Sequence, residues 1–371
     1  TDDVRFRWLR VIREYALELL DESGEREEVE RLHAMAYLAL VEQASLEILG
    51  AARRRWIEAL DRDHDNLRSA IRWTIDQGET DMAARFAWAT WRFWQTRGHL
   101  HEARQTVEAI LAMKGGTPDL LLKAREALGG ITWWEGKMES AHGIYVDLLD
   151  RQREAGDPSE VANALYNAAL TSSYGLQDAG AARAYLDEAE AIYAELDDPG
   201  GLANVAWARG SLAYIGAATP AESQPELERA MVLYREAGNV FGEGWAAFEL
   251  AALLMDLGRP EDAEPHLVGG LSLLWEARDY SAVVMFLALF AWAADLHGDR
   301  ERAIRLMGAS YALRDQTGVD IMSIEVNKIE GLAIEDMDSL EGDLAVAYAE
   351  GRAMGYDQAV AYAIEDRTGG G

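Results

Sequence analysis

Seven histidines, a run of alternating aspartates and one lysine–glycine turn are the first places where this 371-residue sequence could do chemistry. His99 and His101 form the closest histidine pair, but a two-residue spacing does not bring both imidazoles to one helical face, as a metal site would need. Asp61, Asp63 and Asp65 alternate as in a calcium loop. Asn66, however, stands where the sharp-turn glycine belongs and Arg72 where the bidentate glutamate belongs, so the cluster reads as a helix start capped by Asp65 or Asn66. In KGGTP, Lys114 to Pro118, the lysine precedes the glycines and the proline removes a backbone donor. The segment reads as a turn between hairpins, and no G-x-x-x-x-G-K-[ST] phosphate cradle occurs elsewhere. No serine sits in a G-x-S-x-G elbow, and the absence of cysteine removes thiol nucleophiles, disulfides and thiolate metal sites. Carboxylates are so numerous that spacing singles out no acid–base pair.

Recognition is the chemistry that remains. Twelve tryptophans are present, many in helices expected to face the inside of a curved array, and rigid rings offer contact area at low entropic cost. Trp88, Arg92, Trp133, Trp207, Tyr214, Trp245, Phe248 and Trp292 are the candidate ligand-binding residues of that inner surface. Filling the space between neighbouring hairpins is the competing reading for any single ring. Trp91, Phe93, Trp94 and Trp134 fall on adjacent faces, so core and lining roles are expected to be divided among them.

The elements that must position these rings follow from an internal period. Ala103, Ala141, Ala182, Ser223, Ala263 and Ala303 each open an amphipathic segment, at separations of 38, 41, 41, 40 and 40 residues. Four positions after each stands a bulkier residue, Val107, Tyr145, Leu186, Leu227, Leu267 or Met307, on the same helical face. Gly98, Gly136, Gly258 and Gly298 stand five residues ahead of four of the small residues, where a helix can end left-handed. The third unit has Gly175 seven residues ahead, which implies a two-residue insertion, and the fourth has AATPAESQP around Pro220. Segments such as LLKAREALGGITWW and GWAAFELAALLMDL supply the other helix of each hairpin. The expected fold is all-α, a solenoid of about six helical hairpins, each burying its apolar stripe against its neighbours.

GHLHEARQTVEAIL and GRPEDAEPHLVGGL carry a resemblance to tetratricopeptide repeats, at a period longer than the usual thirty-four, and the resemblance implies a right-handed superhelical solenoid of about six extended tetratricopeptide-like hairpins. RFRWLRVIREYALELLDESGE, DHDNLRSAIRWTIDQGE, WRFWQTRGHLHEAR and AVAYAEGRAMGYDQAVAYAIE extend it. Together they resemble the carboxy-terminal region of bacterial STAND-type regulatory ATPases of the LuxR-type, MalT-like transcriptional regulator family. The resemblance implies a winged-helix remnant over 1–22, a helical linker over 23–75, the repeat superhelix over 76–318, capping helices over 319–366 and a flexible tail over 367–371. It also implies that the sequence, opening on Thr1, is a piece of a longer protein. ATP and magnesium would belong to an upstream module, and no cofactor is expected in this chain.

Charge and hydropathy bound the partners. A formal charge of −30 repels phosphate backbones, so nucleic acid is not expected to bind this segment. No run of eighteen apolar residues marks a membrane span, and a monomeric cytoplasmic fragment is the expectation. A peptide, protein or small-molecule effector and the chain's own upstream ATPase and winged-helix module are the expected partners. A sensor whose superhelix captures an effector and thereby relieves autoinhibition is the leading function. The alternatives are a constitutive protein–protein scaffold and an α/α toroid glycosidase, against which the regular punctuation argues.

Overall fold

A computed structural model describes residues 10–216, 218–317, 337 and 339–365. Among these the chain is all-α, with eighteen α-helices running in consecutive antiparallel pairs. Four helices form an amino-terminal arm: α1 Arg10–Ser23, α2 Arg26–Glu47, α3 Arg53–Arg62 and α4 His64–Asp76. Six hairpins follow, α5 Thr80–Arg97 with α6 Leu100–Leu111, α7 Pro118–Trp134 with α8 Met138–Ala155, and α9 Pro158–Leu176 with α10 Ala179–Glu195. The other three are α11 Pro199–Ser211 with α12 Pro220–Glu236, α13 Val240–Asp256 with α14 Pro260–Glu276, and α15 Tyr280–Leu296 with α16 Arg300–Thr317. α17 Gly342–Arg352 packs on α16, and α18 Tyr356–Ile364 touches α14, α15 and α16. Residues 1–9 of the expected winged-helix remnant, 318–336 ahead of the closing pair, residue 366 and the expected tail, 367–371, lie outside the described residues.

The six small residues each sit in the first turn or just beyond it in the second helix of a hairpin, all with 0% exposure, and the six bulkier partners four positions on are buried with them. A one-carbon side chain there lets two helices approach, and the bulky residue fills the space one turn behind. Gly98, Gly136, Gly258 and Gly298 are left-handed, with φ between 68° and 79°, and close the first helix of their hairpins. The third hairpin differs from expectation. Gly175 is helical and lies against Met138, and Gln177 takes the left-handed position at φ 52°, five residues ahead of Ala182. No residues are inserted; a glutamine occupies the place glycine fills elsewhere. The fourth turn is longer, with a 3₁₀ segment Leu212–Ile215 ahead of a capping box between Thr219 and Glu222.

A second repeating device ties neighbouring hairpins. Tyr193 Oη donates to Asn163 Oδ1 at 2.8 Å and Tyr234 Oη donates to Asn204 Oδ1 at 2.6 Å. The Tyr193 and Tyr234 rings lie over Gly201 and Gly242, where an added Cβ would stand 2.1 and 2.4 Å from ring carbons. Each of these residues recurs after 41 positions, so hydroxyl, amide and ring platform travel together from one unit to the next.

The arm corrects one expectation. The helix that Asp65 or Asn66 was expected to cap begins at His64, ahead of both, with Asp63 at its N-cap position and accepting from Tyr37 Oη and Asn66 Nδ2. At the other end of the chain, Gly355 stands between the last two helices as the N-cap of α18, and Asp357 lies in its first turn.

α3 also closes the array. Arg53, 1% exposed, donates to Asp279 Oδ2, Thr96 Oγ1 and the Ile48 carbonyl, each at 2.7 Å, and packs over Phe241. Asp279 Oδ1 accepts from Ser281 Oγ and from the Ala282 amide, capping α15, while Gln95 Nε2 donates to Ser281 Oγ. The linker, the first hairpin and the sixth thereby share one buried polar cluster, and one apolar core joins the arm and first hairpins to the last ones. Burial pushes Arg53 below its usual range, and Asp279 pulls it back up. Removing one member leaves the other buried and uncompensated, which costs about 3–5 kcal/mol. Asp279→Ala is therefore expected to lower urea-unfolding stability by about 3–5 kcal/mol, while Arg54→Ala, at the exposed pair with Glu58, leaves the midpoint in place.

Candidate functional site

The first helices of all six hairpins turn toward one another around a cavity of about 170 Å³. Arg92 comes from α5, Trp133 and Trp134 from α7, Tyr166 and Tyr174 from α9, and Asn204 and Trp207 from α11. Phe241, Trp245, Phe248 and Glu249 come from α13 and Met285 from α15, with Tyr234 and Asn239 at the α12–α13 turn. Leu49, from the link between α2 and α3, completes the wall, and its carbonyl accepts from the Phe241 amide at 3.3 Å.

Rings of neighbouring hairpins pack here, and one pair crosses the array. Trp134 stands edge-on to Trp245 at 5.2 Å, Trp133 to Tyr174 at 5.3 Å and Phe248 to Phe286 at 5.2 Å. Such packing holds each ring in one orientation and leaves a narrow lumen rather than an open groove. A space near 150 Å³ takes in a molecule the size of benzene, so about one ring with its substituents fits.

The polar groups on the wall are few. Tyr174 Oη donates to Glu249 Oε1 at 3.0 Å, Tyr234 Oη is committed to Asn204, and Asn239 Oδ1 caps α13 through Gly242. Burial raises the Tyr166 and Tyr234 phenols above their usual range, so both stay protonated. Arg92 stacks over Trp91 at 3.8 Å and Phe241 at 5.1 Å, with burial lowering it to about 10. It remains a cation at neutral pH. Among the described residues no carboxylate lies within ion-pair distance of it.

The cavity brings together Arg92, Trp133, Trp207, Trp245 and Phe248 of the sequence candidates. Trp88 is half-buried beneath Lys123 Nζ at 4.5 Å, and Trp292 is buried within α15; neither is on this wall. Tyr214 lies in the 3₁₀ segment and its side chain is outside the described residues. Trp91, Phe93 and Trp94 are core residues, whereas Trp134 is both buried and lining. Tyr166, Tyr174, Asn204, Tyr234, Phe241 and Glu249 escaped the sequence reading; for Asn204 and Tyr234 the signal was the 41-residue recurrence of the Asn–Tyr pair.

Other chemistry-bearing residues serve the scaffold. Asp61 pairs with Arg97, and in the KGGTP turn the Thr117 amide and hydroxyl donate to Asp81 at 2.6 and 2.8 Å. Among the described residues no three acidic or histidine side chains converge as a metal site, and no helix is long and apolar enough to cross a membrane. His99 stacks on His64 at 4.5 Å, away from His101, and burial draws both imidazoles below 6.5.

Comparison with known proteins places this geometry. No family model matches the chain. Over 218 residues it is 30% identical to proteins named as HTH-type transcriptional regulators in Mycobacterium tuberculosis and Mycobacterium bovis, a match covering 56% of this chain and 24% of each relative. The chain thus spans about a quarter of the length of these relatives. A Rap protein, solved in complex with Competence and Sporulation Factor, superposes with a TM-score of 0.56 at 15% identity, over 88% of this chain and 95% of that one. That likeness carries the fold alone. The chain is a tetratricopeptide-like helical repeat region related to transcriptional regulators.

The stacked imidazoles give a test of the arm–hairpin contact. Because their folded-state values lie below 6.5, the fold favours the neutral form. Its stabilisation is present above about 6.5 and is lost as pH falls through the folded midpoints. NMR titration is expected to place both midpoints below 6.5. The double change His64→Gln, His99→Gln should flatten the drop in melting temperature between about pH 6.5 and 5.

Proposed function

We propose that this chain is the effector-sensing region of a STAND-type, LuxR-type transcriptional regulator, and that the effector binds in the lumen. The observation that carries the reading is that every hairpin contributes to one aromatic wall, which the linker residue Leu49 completes. A ligand in the lumen touches the whole array and the segment leading toward its amino-terminal end. An effector that binds one arrangement of that linker better than another shifts the balance between them, and relief of autoinhibition in an upstream ATPase module follows. In this reading ATP and magnesium belong to that module, the setting is cytoplasmic, and nucleic acid is bound outside the segment.

A binding role is favoured over catalysis by the composition of the wall. Glycoside hydrolysis uses two carboxylates flanking the scissile bond, whereas among the described lining residues Glu249 is the carboxylate present, engaged by Tyr174. The size of the lumen favours a small molecule, or one side chain of a peptide, over an extended protein segment.

Native mass spectrometry of the purified chain is expected to find a co-purifying small molecule, and Trp207→Ala with Trp245→Ala should weaken its rebinding about tenfold or more. Hydrogen exchange of residues 47–53 should slow on rebinding. Undiminished affinity in the double variant would remove the lumen as the site, and unchanged exchange at 47–53 would favour a constitutive scaffold.

A further inference from the structure

The lumen wall is chemically lopsided. Arg92 is half-buried by surface area yet enclosed by protein, so the surface it keeps is that of the cavity it lines. Among the described residues it has no hydrogen-bonded acceptor and no ion pair, and it is held by the faces of Trp91 and Phe241. Those rings offset part of the cost of enclosing a cation but leave its five N–H donors unspent. Trp245, 7% exposed, and Trp207 line the same wall, and each has a buried indole N–H with no acceptor among the described residues. Buried donors are normally satisfied, so a wall that carries an open cation and two such indoles is short of acceptors.

Three acceptors on the wall are engaged by other groups. Glu249 Oε1 receives the Tyr174 hydroxyl, Asn204 Oδ1 the Tyr234 hydroxyl, and Asn239 Oδ1 the Gly242 amide. The other buried arginine nearby, Arg53, has its own carboxylate in Asp279. Arg92 therefore differs in kind from the paired arginines of the scaffold: it is a cation set into an apolar wall and left open toward a space the size of a ring.

We propose that the lumen binds a small organic carboxylate with an aromatic or comparably flat apolar body, its carboxylate against the Arg92 guanidinium and its ring among Trp133, Trp207, Trp245 and Phe248. A guanidinium meets a carboxylate with two parallel charge-assisted hydrogen bonds, a geometry a neutral amide cannot reproduce. The −30 charge of the chain disfavours anions in general, so the local charge-assisted contact with Arg92 has to outweigh it. The inference rests on the lumen being the effector site and adds the chemical class of the effector.

The test uses the whole chain and two near-isosteric probes, para-fluorobenzoate and para-fluorobenzamide, followed by fluorine NMR at neutral pH. The benzoate is expected to bind about tenfold or more tightly than the benzamide, and Arg92→Met should erase that preference while the benzamide still binds. Trp245→Phe, which keeps a ring and removes one donor, should weaken the benzoate more than the benzamide, and it carries the test if Arg92→Met does not fold. Equal affinity for the two probes in the unmodified chain would overturn the anion preference and leave the lumen as a site for neutral rings. Binding of neither probe would overturn both this inference and the lumen site on which it rests.

Discussion

The array depends on one buried ion pair. Arg53 and Asp279 are 226 positions apart in sequence and both almost fully excluded from solvent, so their contact is made only when the arm and the last hairpin come round to face each other. Desolvating two charges is costly and is repaid only by good geometry. Here the guanidinium also reaches the Ile48 carbonyl and Thr96, while the carboxylate caps α15 and receives Ser281. The pair acts as a register device: a shift of α3 along the sixth hairpin would leave a charge buried and unmatched.

Closure turns a stack of hairpins into a container. In an open solenoid each unit touches only its neighbours, and inward rings would line a broad groove. With the ends joined, Trp134 of the second hairpin meets Trp245 of the fifth, and the space between them shrinks to a lumen of about 170 Å³. The linker that supplies Arg53 also supplies Leu49 to the wall, so scaffold closure and the candidate site share one short segment. That economy gives a lumen ligand a physical route to the amino-terminal side of the chain.

The parts of this architecture legible in the sequence are those written locally. Small residues every 40 or so positions, with a bulky partner one turn on, can come only from repeated helix contacts, and all six are buried as the pattern requires. Closure was not legible, because nothing near Arg53 or Asp279 in sequence points to the other. The third turn misled because Gln177 takes a left-handed conformation usually left to glycine. Inward faces were legible where a helix has distinct faces, as for Trp207 on α11. α15 is buried almost all round, so periodicity could not say which way Trp292 points. Trp134 escaped assignment because the closed lumen is narrow enough for two successive residues of α7 to reach it.

The central claim is that the arm and the sixth hairpin hold the array closed in the chain itself, before any ligand arrives. Because the sequence has no cysteine, spin labels can be placed uniquely by Arg54→Cys and Glu276→Cys, at exposed sites flanking the buried pair. Pulsed electron–electron double resonance on the ligand-free chain should give one short, narrow distance, which broadens and lengthens when Asp279→Asn is added. A broad distribution in the absence of Asp279→Asn would contradict the account, since the hairpins would then be stacked as an open array with no lumen.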